Sequence, residues 1–556
     1  QIQNGWPGCI KEMRGDFSYW QRALPKIIHI IHLFPDHLAN KNILPCKDHL
    51  PIGPQRRIQC VFSFRDSESH KNPGYGANFL SPPGSSSKKI YRNLYIFIQV
   101  NTYTIIFGQV SNPSNSILMK QLYAYALALL FLCTYPTLVK SQCAQPGKDG
   151  NIAGLNYSPN TYYSPAAASF TLTKNVTNSI SLGAAGIVAS SGITGISPGD
   201  LVLIAQMQGT DISSTNDANY GSNSGAEGGY LNNANLEAGY YEYAVAAAGT
   251  NVTAAAGGTL NLSQTVKNTY LYANATATAG QYRYQVIKVL QYLNCTLGGN
   301  ITTPAWNGAV GGISALDVKQ TLTMAGFSIS ADGKGFRGGG GRQYTGTTDA
   351  GSVNIYRYLS SVTAHASKGE GISGTPKYVY DGASVVTNAA EGYPNGSFGK
   401  GAPGNAGGGG TDNKPTPSTS ADNQYNTGGG GGGNAGAGGK AGWGWSGTPG
   451  TPNTTENGGR GGFLFGQASV SRIVMGGGGG AGTANNSAST NALESSGAMG
   501  GGIIIVNANT ISGAGTISAN GADALNLVNS GATAGHTDAA GGGGAGGSII
   551  LFTNNG

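Results

Sequence analysis

The chain has 556 residues, 93 of them Gly, with 32 Lys+Arg against 25 Asp+Glu and six Cys. Its net charge of +7 suggests nucleic acid or anionic membrane as partner only while the chain is averaged. Residues 1–141 hold 15 Lys+Arg and 6 Asp+Glu, whereas residues 142–556 hold 17 and 19, a balance of −2 that excludes a nucleic-acid reading of the longer part.

Residues 1–118 open on Gln and carry apolar clusters such as "IIHIIHLFPDHL" with no sustained period of 3.6 or 2. They read as upstream read-through or a disordered leader. Met119 then begins "MKQLYAYALALLFLCTYPTLVKSQCAQ". One Lys, an apolar run too short to span a bilayer, and Val139-Lys140-Ser141 give residues 119–141 the layout of a signal peptide, with Gln142 as the mature N-terminus. No later run reaches 18 apolar residues, so no transmembrane segment is expected in the mature region. Its two cysteines, Cys143 and Cys295, read as a disulfide or as two lone thiols.

Residues 142–310 read as a β-rich domain. "SPGDLVLIAQMQG" is a turn followed by an apolar run of strand length, and "GQYRYQVIKVLQYL" is rich in β-branched and aromatic residues. "TDISSTNDANYGSNSGAEGG" between them is a polar surface loop, and Tyr240, Tyr241 and Tyr243 read as strand residues. Trp306 sits near the expected boundary and reads as packing.

Residues 311–556 read as a Gly-rich repeat β domain. "TLTMAGFSISADG" (321–333) aligns with "NTISGAGTISANG" (509–521) at an offset of 188, which sets Leu316 opposite Ile504 and Val318 opposite Val506. "GGGIIIVNAN" (500–509) returns as "GGSIILFTNN" (546–555) at an offset of 46. Units of this kind suit a parallel β-solenoid-like stack, the alternative being antiparallel hairpins. The repeat is interrupted just before Gly556, so further domains of the same longer chain are expected, the region here being truncated at its C-terminus. Blocks such as "TGGGGGGNAGAGGKAGWGW" read either as linkers or as polyglycine-II helices, packed side by side with three residues per turn. The packed form is favoured because the blocks abut apolar strands on a repeat. The expected class is therefore all-β.

Little in residues 142–556 carries chemistry. HExxH, CxxC and GxSxG are absent, and "NAGAGGKA" lacks both the first Gly and the Ser or Thr of a phosphate loop. "GGGGTD" (407–412) matches a calcium-binding unit but has no tandem copy, and Asp211 and Asp217 read as solvated loop acids, so no metal and no cofactor are expected. His365 and His536 have no local nucleophile. Asp317, Lys319, Asp332, Lys334 and Arg337 form the one cluster that a β-helix polysaccharide lyase or hydrolase could use. Trp443 and Trp445, alternating in "GKAGWGWSG", read either as small local cores capping the Gly bundle or as the candidate binding residues, since exposed indoles stack on the apolar faces of sugar rings.

Together, "SPGDLVLIAQMQG", "YRYQVIKV", "ISADGKGFRGGGGRQ", "KGEGISGTPKYVYD", "EGYPNGSFGKGAPGNAGGGGTDN" and "SGAGTISANG" resemble the Gly-rich N-terminal part of very large secreted bacterial surface proteins. The resemblance covers 142–556 and implies surface display, with repeat domains and an anchor following. It implies no defined activity. Gly blocks between strands are also similar to the glycine-rich domains of phage tail adhesins and of the anaplastic lymphoma kinase ectodomain. The expectation is a non-enzymatic adhesin or matrix module with polysaccharide or cell-surface glycans as partners. A carbohydrate-active enzyme and a purely structural stalk are the alternatives.

Overall fold

A computed structural model describes residues 96–100, 103–107 and 145–554, the last range interrupted at 222–234, 277–279, 344–354, 359–363, 390, 394–395, 413–425, 445–455, 485–491 and 526–538. The signal-like segment, Cys143, Trp445 and His536 lie outside the described residues. Residues 6–140 make a unit of their own, in which β1 (Ile96–Val100) and β2 (Tyr103–Phe107) pair antiparallel. The rest is all-β. Among the described residues there is no α-helix, and no helix long and apolar enough to cross a membrane.

The strongest strand signals build a six-stranded antiparallel sheet. It contains β4 (Thr161–Pro165), β6 (Ser179–Ile187), β7 (Leu201–Gln208), β8 (Tyr241–Val245), β9 (Gly258–Asn261) and β11 (Arg283–Val289), in the order β8-β7-β11-β4-β6-β9. All eight residues of β7 and all seven of β11 are buried. A continuous apolar run marks a strand covered on both faces, and that is the situation here. Val202, Ile204, Tyr284 and Val286 face a core closed by Tyr270 and Leu172. Those two belong to β10 (Tyr270–Tyr272) and β5 (Phe170–Leu172), which form a two-stranded cover. The other face meets a second sheet: the Asn160 side chain bonds both the N–H and the C=O of Ala315, and Tyr162 Oη donates to the Ile313 carbonyl at 2.5 Å.

That second sheet is parallel throughout. It comprises β3 (Ile152–Leu155), β13 (Cys295–Leu297), β15 (Ile313–Thr323), β20 (Ile503–Ser512) and β22 (Ser548–Phe552), with β12 (Gln291–Tyr292) also on β15. Below it, β14 (Ile301–Thr302), β16 (Ser328–Ser330) and β21 (Thr516–Ser518) form a second parallel sheet. Leu316, Val318, Ile504 and Val506 fill the space between the two with Ile301 and Ile329. Strands from before and after residue 310 share these sheets, and residues 141–556 form one compact unit, so the boundary read at 310 does not separate two folding units.

The repeats pair in parallel, not as hairpins, but with slips. Ile329 faces Ile517 at the expected offset of 188, whereas Leu316 faces Val506 and Val318 faces Ala508. The register shifts between Val318 and Thr321, a bulge that keeps apolar side chains on the core face while the strands stay paired. Ile504 likewise faces Ile549, one residue off the offset of 46.

The glycine segments lie outside these sheets and pack on one another. Successive backbone N–H groups donate from segment to segment: Gly408 to Arg460, Gly430 to Gly408, Gly480 to Gly430, Gly542 to Gly480 and Ala498 to Gly542, all at 2.8–2.9 Å. The approach is too close for any side chain. A Cβ on Gly480 would sit 1.9 Å from the Gly408 carbonyl oxygen, and one on Gly478 1.9 Å from that of Arg337. Polar side chains close the ends of the segments. At one end Thr411 Oγ1 donates to the Asn457 carbonyl, Thr427 Oγ1 to that of Thr411, and Thr483 Oγ1 accepts from Thr427 N–H. At the other, Asn405 Nδ2 donates to Met475 and Asn434 Nδ2 to Gly546. These groups satisfy backbone polar atoms that a buried chain end would otherwise orphan. A short antiparallel sheet of β17 (Gly338–Gly339), β18 (Tyr378–Tyr380) and β19 (Val385–Thr387) flanks the segments.

Candidate functional site

The charge cluster expected to serve an enzyme does not converge. Asp317 lies buried, its carboxylate accepting from Gln291 Nε2 at 3.0 Å and Asn507 Nδ2 at 2.7 Å, and burial raises its pKa. Arg337 is buried against Glu370, with Nε to Oε2 at 2.8 Å and a second N–H···O bond at 3.0 Å. Asp332 instead caps a turn, accepting from the Ser518 hydroxyl and the Asn520 N–H. Lys319 is exposed, and Lys334 serves through its carbonyl, which accepts from Trp306 N–H. Asp317, Asp332 and Arg337 each engage a separate local partner, so these charges do not meet in one groove as the lyase or hydrolase alternative requires.

The other sequence candidates resolve one by one. Trp306 is buried, edge-on to Phe336 at 6.2 Å, as a packing residue. Cys295 is a free, buried thiol whose pKa burial pushes up to about 12; its prospective partner Cys143 lies outside the described residues. Asp211 accepts from Tyr282 Oη and Asn235 Nδ2, and Asp217 from Thr215 and Asn219. The Asp412 N–H donates to His365 Nδ1. Among the described residues no three His, Cys, Asp or Glu gather as a metal site.

Trp443 is the aromatic candidate that stands free, 56% exposed on the outer glycine segment 434–444. This segment presents its residues with a period of three. Gly438 packs inward, its Cβ position 2.1 Å from the Gly431 carbonyl, while Cβ atoms on Gly436, Gly439 and Gly442 would meet open space. The third row is Ala437, Lys440 and Trp443, all exposed. Lys440 and Trp443 therefore rise from one ridge. Beside them, Ala441 N–H donates to the Gly459 carbonyl, which locks the neighbouring segment and its Glu456 in place. Lys440 Nζ bonds both Glu456 carboxylate oxygens, at 3.0 and 2.9 Å. The Lys440 ammonium, by its two hydrogen bonds and its charge, holds the Glu456 carboxyl below its usual range.

Two more cations stand behind Glu456. Lys400 Nζ lies 3.4 Å from the Glu456 carbonyl, and both Lys400 and the Arg460 guanidinium lie over the Tyr356 ring, at 4.8 and 4.7 Å from its centre. Burial, and after it the Arg460 charge, pushes the Lys400 pKa down to about 8. Sequence reasoning missed this cluster because Lys400, Lys440, Glu456 and Arg460 come from three separate Gly blocks. The available signal was that each is a charge set among glycines. No protein-family model, curated protein or solved structure matches this chain.

Proposed function

We propose that this is an exported, surface-associated bacterial protein that acts as a non-enzymatic adhesin or extracellular matrix module and binds glycans. The observation that carries the reading is Trp443, an exposed indole on a glycine segment whose backbone is hydrogen-bonded to its neighbours. An indole held in this way stacks on a sugar ring at little entropic cost. In the finer architecture we infer, the parallel sheets are coils of a β-solenoid-like stack and the glycine segments are polyglycine-II helices. The parallel pairing of repeats and the three-residue period of open positions support that description. The signal-peptide layout and the resemblance to large surface proteins support export and display. A spacer role is compatible with the same scaffold, and the exposed Trp443 is what favours binding over it.

The test applies the full chain to a panel of insoluble and soluble polysaccharides, reading retention and newly formed chain ends together. Retention without new ends is expected, and Trp443→Ala should weaken it at least ~10-fold, since stacked aromatics are frequent hot spots. New chain ends, or full retention by Trp443→Ala, would contradict the reading.

A further inference from the structure

The two parallel sheets end on an unmatched strand, β22, and we propose that a second copy of this chain completes them across a two-fold axis. The inference stands apart from the glycan reading and does not depend on it.

Three observations carry it. First, the core between the sheets is open at one end. β13, β15 and β20 are each followed by a strand of the second parallel sheet, β14, β16 and β21, whereas among the described residues no strand lies beside β21 to match β22. Ile549 and Leu551 are in register with the buried Ile504 and Val506 and so point to the same core face, yet they stay 42% and 48% exposed. Second, this end carries none of the devices that keep sheet edges apart, since residues 546–554 and 511–522 hold no charge and no Pro. The opposite end is closed. Leu155 of β3 is buried, Tyr157 packs on the same core, and Gly154, at φ +90°, is the extra residue where the ladder with β13 shifts. A head-to-tail stack therefore has no matching edge to grow on. Third, the open end is complementary to itself. One sheet overhangs the other by a single strand, so a two-fold axis along the strands sets the other copy's β22 beside β21, beneath this β22. The same operation puts this β22 in the equivalent place of the other copy. Ile549 and Leu551 of both copies then meet face to face, and each free β22 edge gains a β21 as neighbour. An uncharged patch can sit on a two-fold axis without repelling its image, and a contact of one patch with itself closes as a dimer.

The experiment is sedimentation equilibrium of the full chain over a wide concentration range, under reducing conditions so that no disulfide links two copies. A monomer–dimer equilibrium is expected. Ile549→Asp and Leu551→Asp fall on side chains already half exposed and set like charges against each other across the axis, so each should weaken association at least ~10-fold while the monomer stays folded. Amide exchange adds a second reading on wild type: the amides of β22 should slow as concentration rises, and those of segment 434–444 should not. Monomer at every concentration, dimers that survive both substitutions, assemblies that grow past the dimer, or β22 amides indifferent to concentration would overturn the inference. So would a monomer whose β22 amides are protected by a peptide of sequence "GAGTISANG" (513–521), which would assign the open place to a further coil strand and not to a second copy.

Discussion

Gly480→Ala is expected to unfold the glycine bundle, whereas Gly439→Ala is expected to leave it intact. The two substitutions add the same methyl group to the same kind of segment. At Gly480 the new Cβ would lie 1.9 Å from the Gly408 carbonyl oxygen, and backbone on both sides leaves nothing flexible to yield. Gly480 is also a relay in the hydrogen-bond series, donating to Gly430 and accepting from Gly542, so separating the segments breaks bonds on both sides. The cost is about 3 kcal/mol or more, the upper end of overpacking effects. At Gly439 the Cβ meets open space and the φ is not left-handed, so Ala should be neutral or stabilise by up to ~1 kcal/mol through the unfolded chain. Thermal or denaturant unfolding of both variants checks the contrast, and equal effects would contradict the packing.

Arg337→Met is the second large effect. Arg337 and Glu370 are fully desolvated partners, and Thr375 Oγ1 also donates to Glu370 at 2.6 Å. Removing the guanidinium strands a buried carboxylate, at a cost of about 3–5 kcal/mol. The double variant Arg337→Met, Glu370→Met should regain much of this, because the uncompensated charge is then gone. The pair also sets an acid limit. Burial works to raise the Glu370 carboxyl, but the Arg337 charge and the bonds it donates outweigh that and hold it below the ordinary value. A carboxyl lowered on folding contributes stability that is complete above its unfolded pKa, about 4.3, and is lost as pH falls through the folded value. Wild type should therefore lose stability more steeply than the double variant below about pH 4, as denaturant midpoints across pH would record.

The strands were the legible part of this chain. β7 and β11 stood out as continuous β-branched and apolar runs, and the echo of "SISADG" in "TISANG" foretold that β16 and β21 would lie side by side. What sequence spacing could not show was register. Bulges after Val318 and the one-residue slip at Ile504 are set by side chains packing across strands, and periodicity alone cannot place them. The boundary read at 310 follows a real change in composition, yet β12 and β13 pair with β15, and β14 with β16, from beyond it. Arg337 was read with Asp317 because they are close in sequence, while its partner Glu370 is 33 residues away across a Gly block. Trp443 was legible as a candidate, but the Lys440–Glu456 pair beside it was not. Glycine runs have no side chains to reveal which segments neighbour which, so the contacts that assemble the ridge leave little trace in the pattern.

Amide hydrogen exchange, resolved residue by residue on the full chain, tests the packed glycine bundle most directly. The account predicts that Gly408, Gly430, Gly480 and Gly542, whose N–H groups donate across the bundle, exchange as slowly as the amides of β7 and β20. Gly436, Gly439 and Gly442, which face open space, should exchange quickly. Exchange of all these glycines at the rate of a free peptide would mean that the blocks are linkers, and the scaffold that holds Trp443 beside Glu456 would be lost with them.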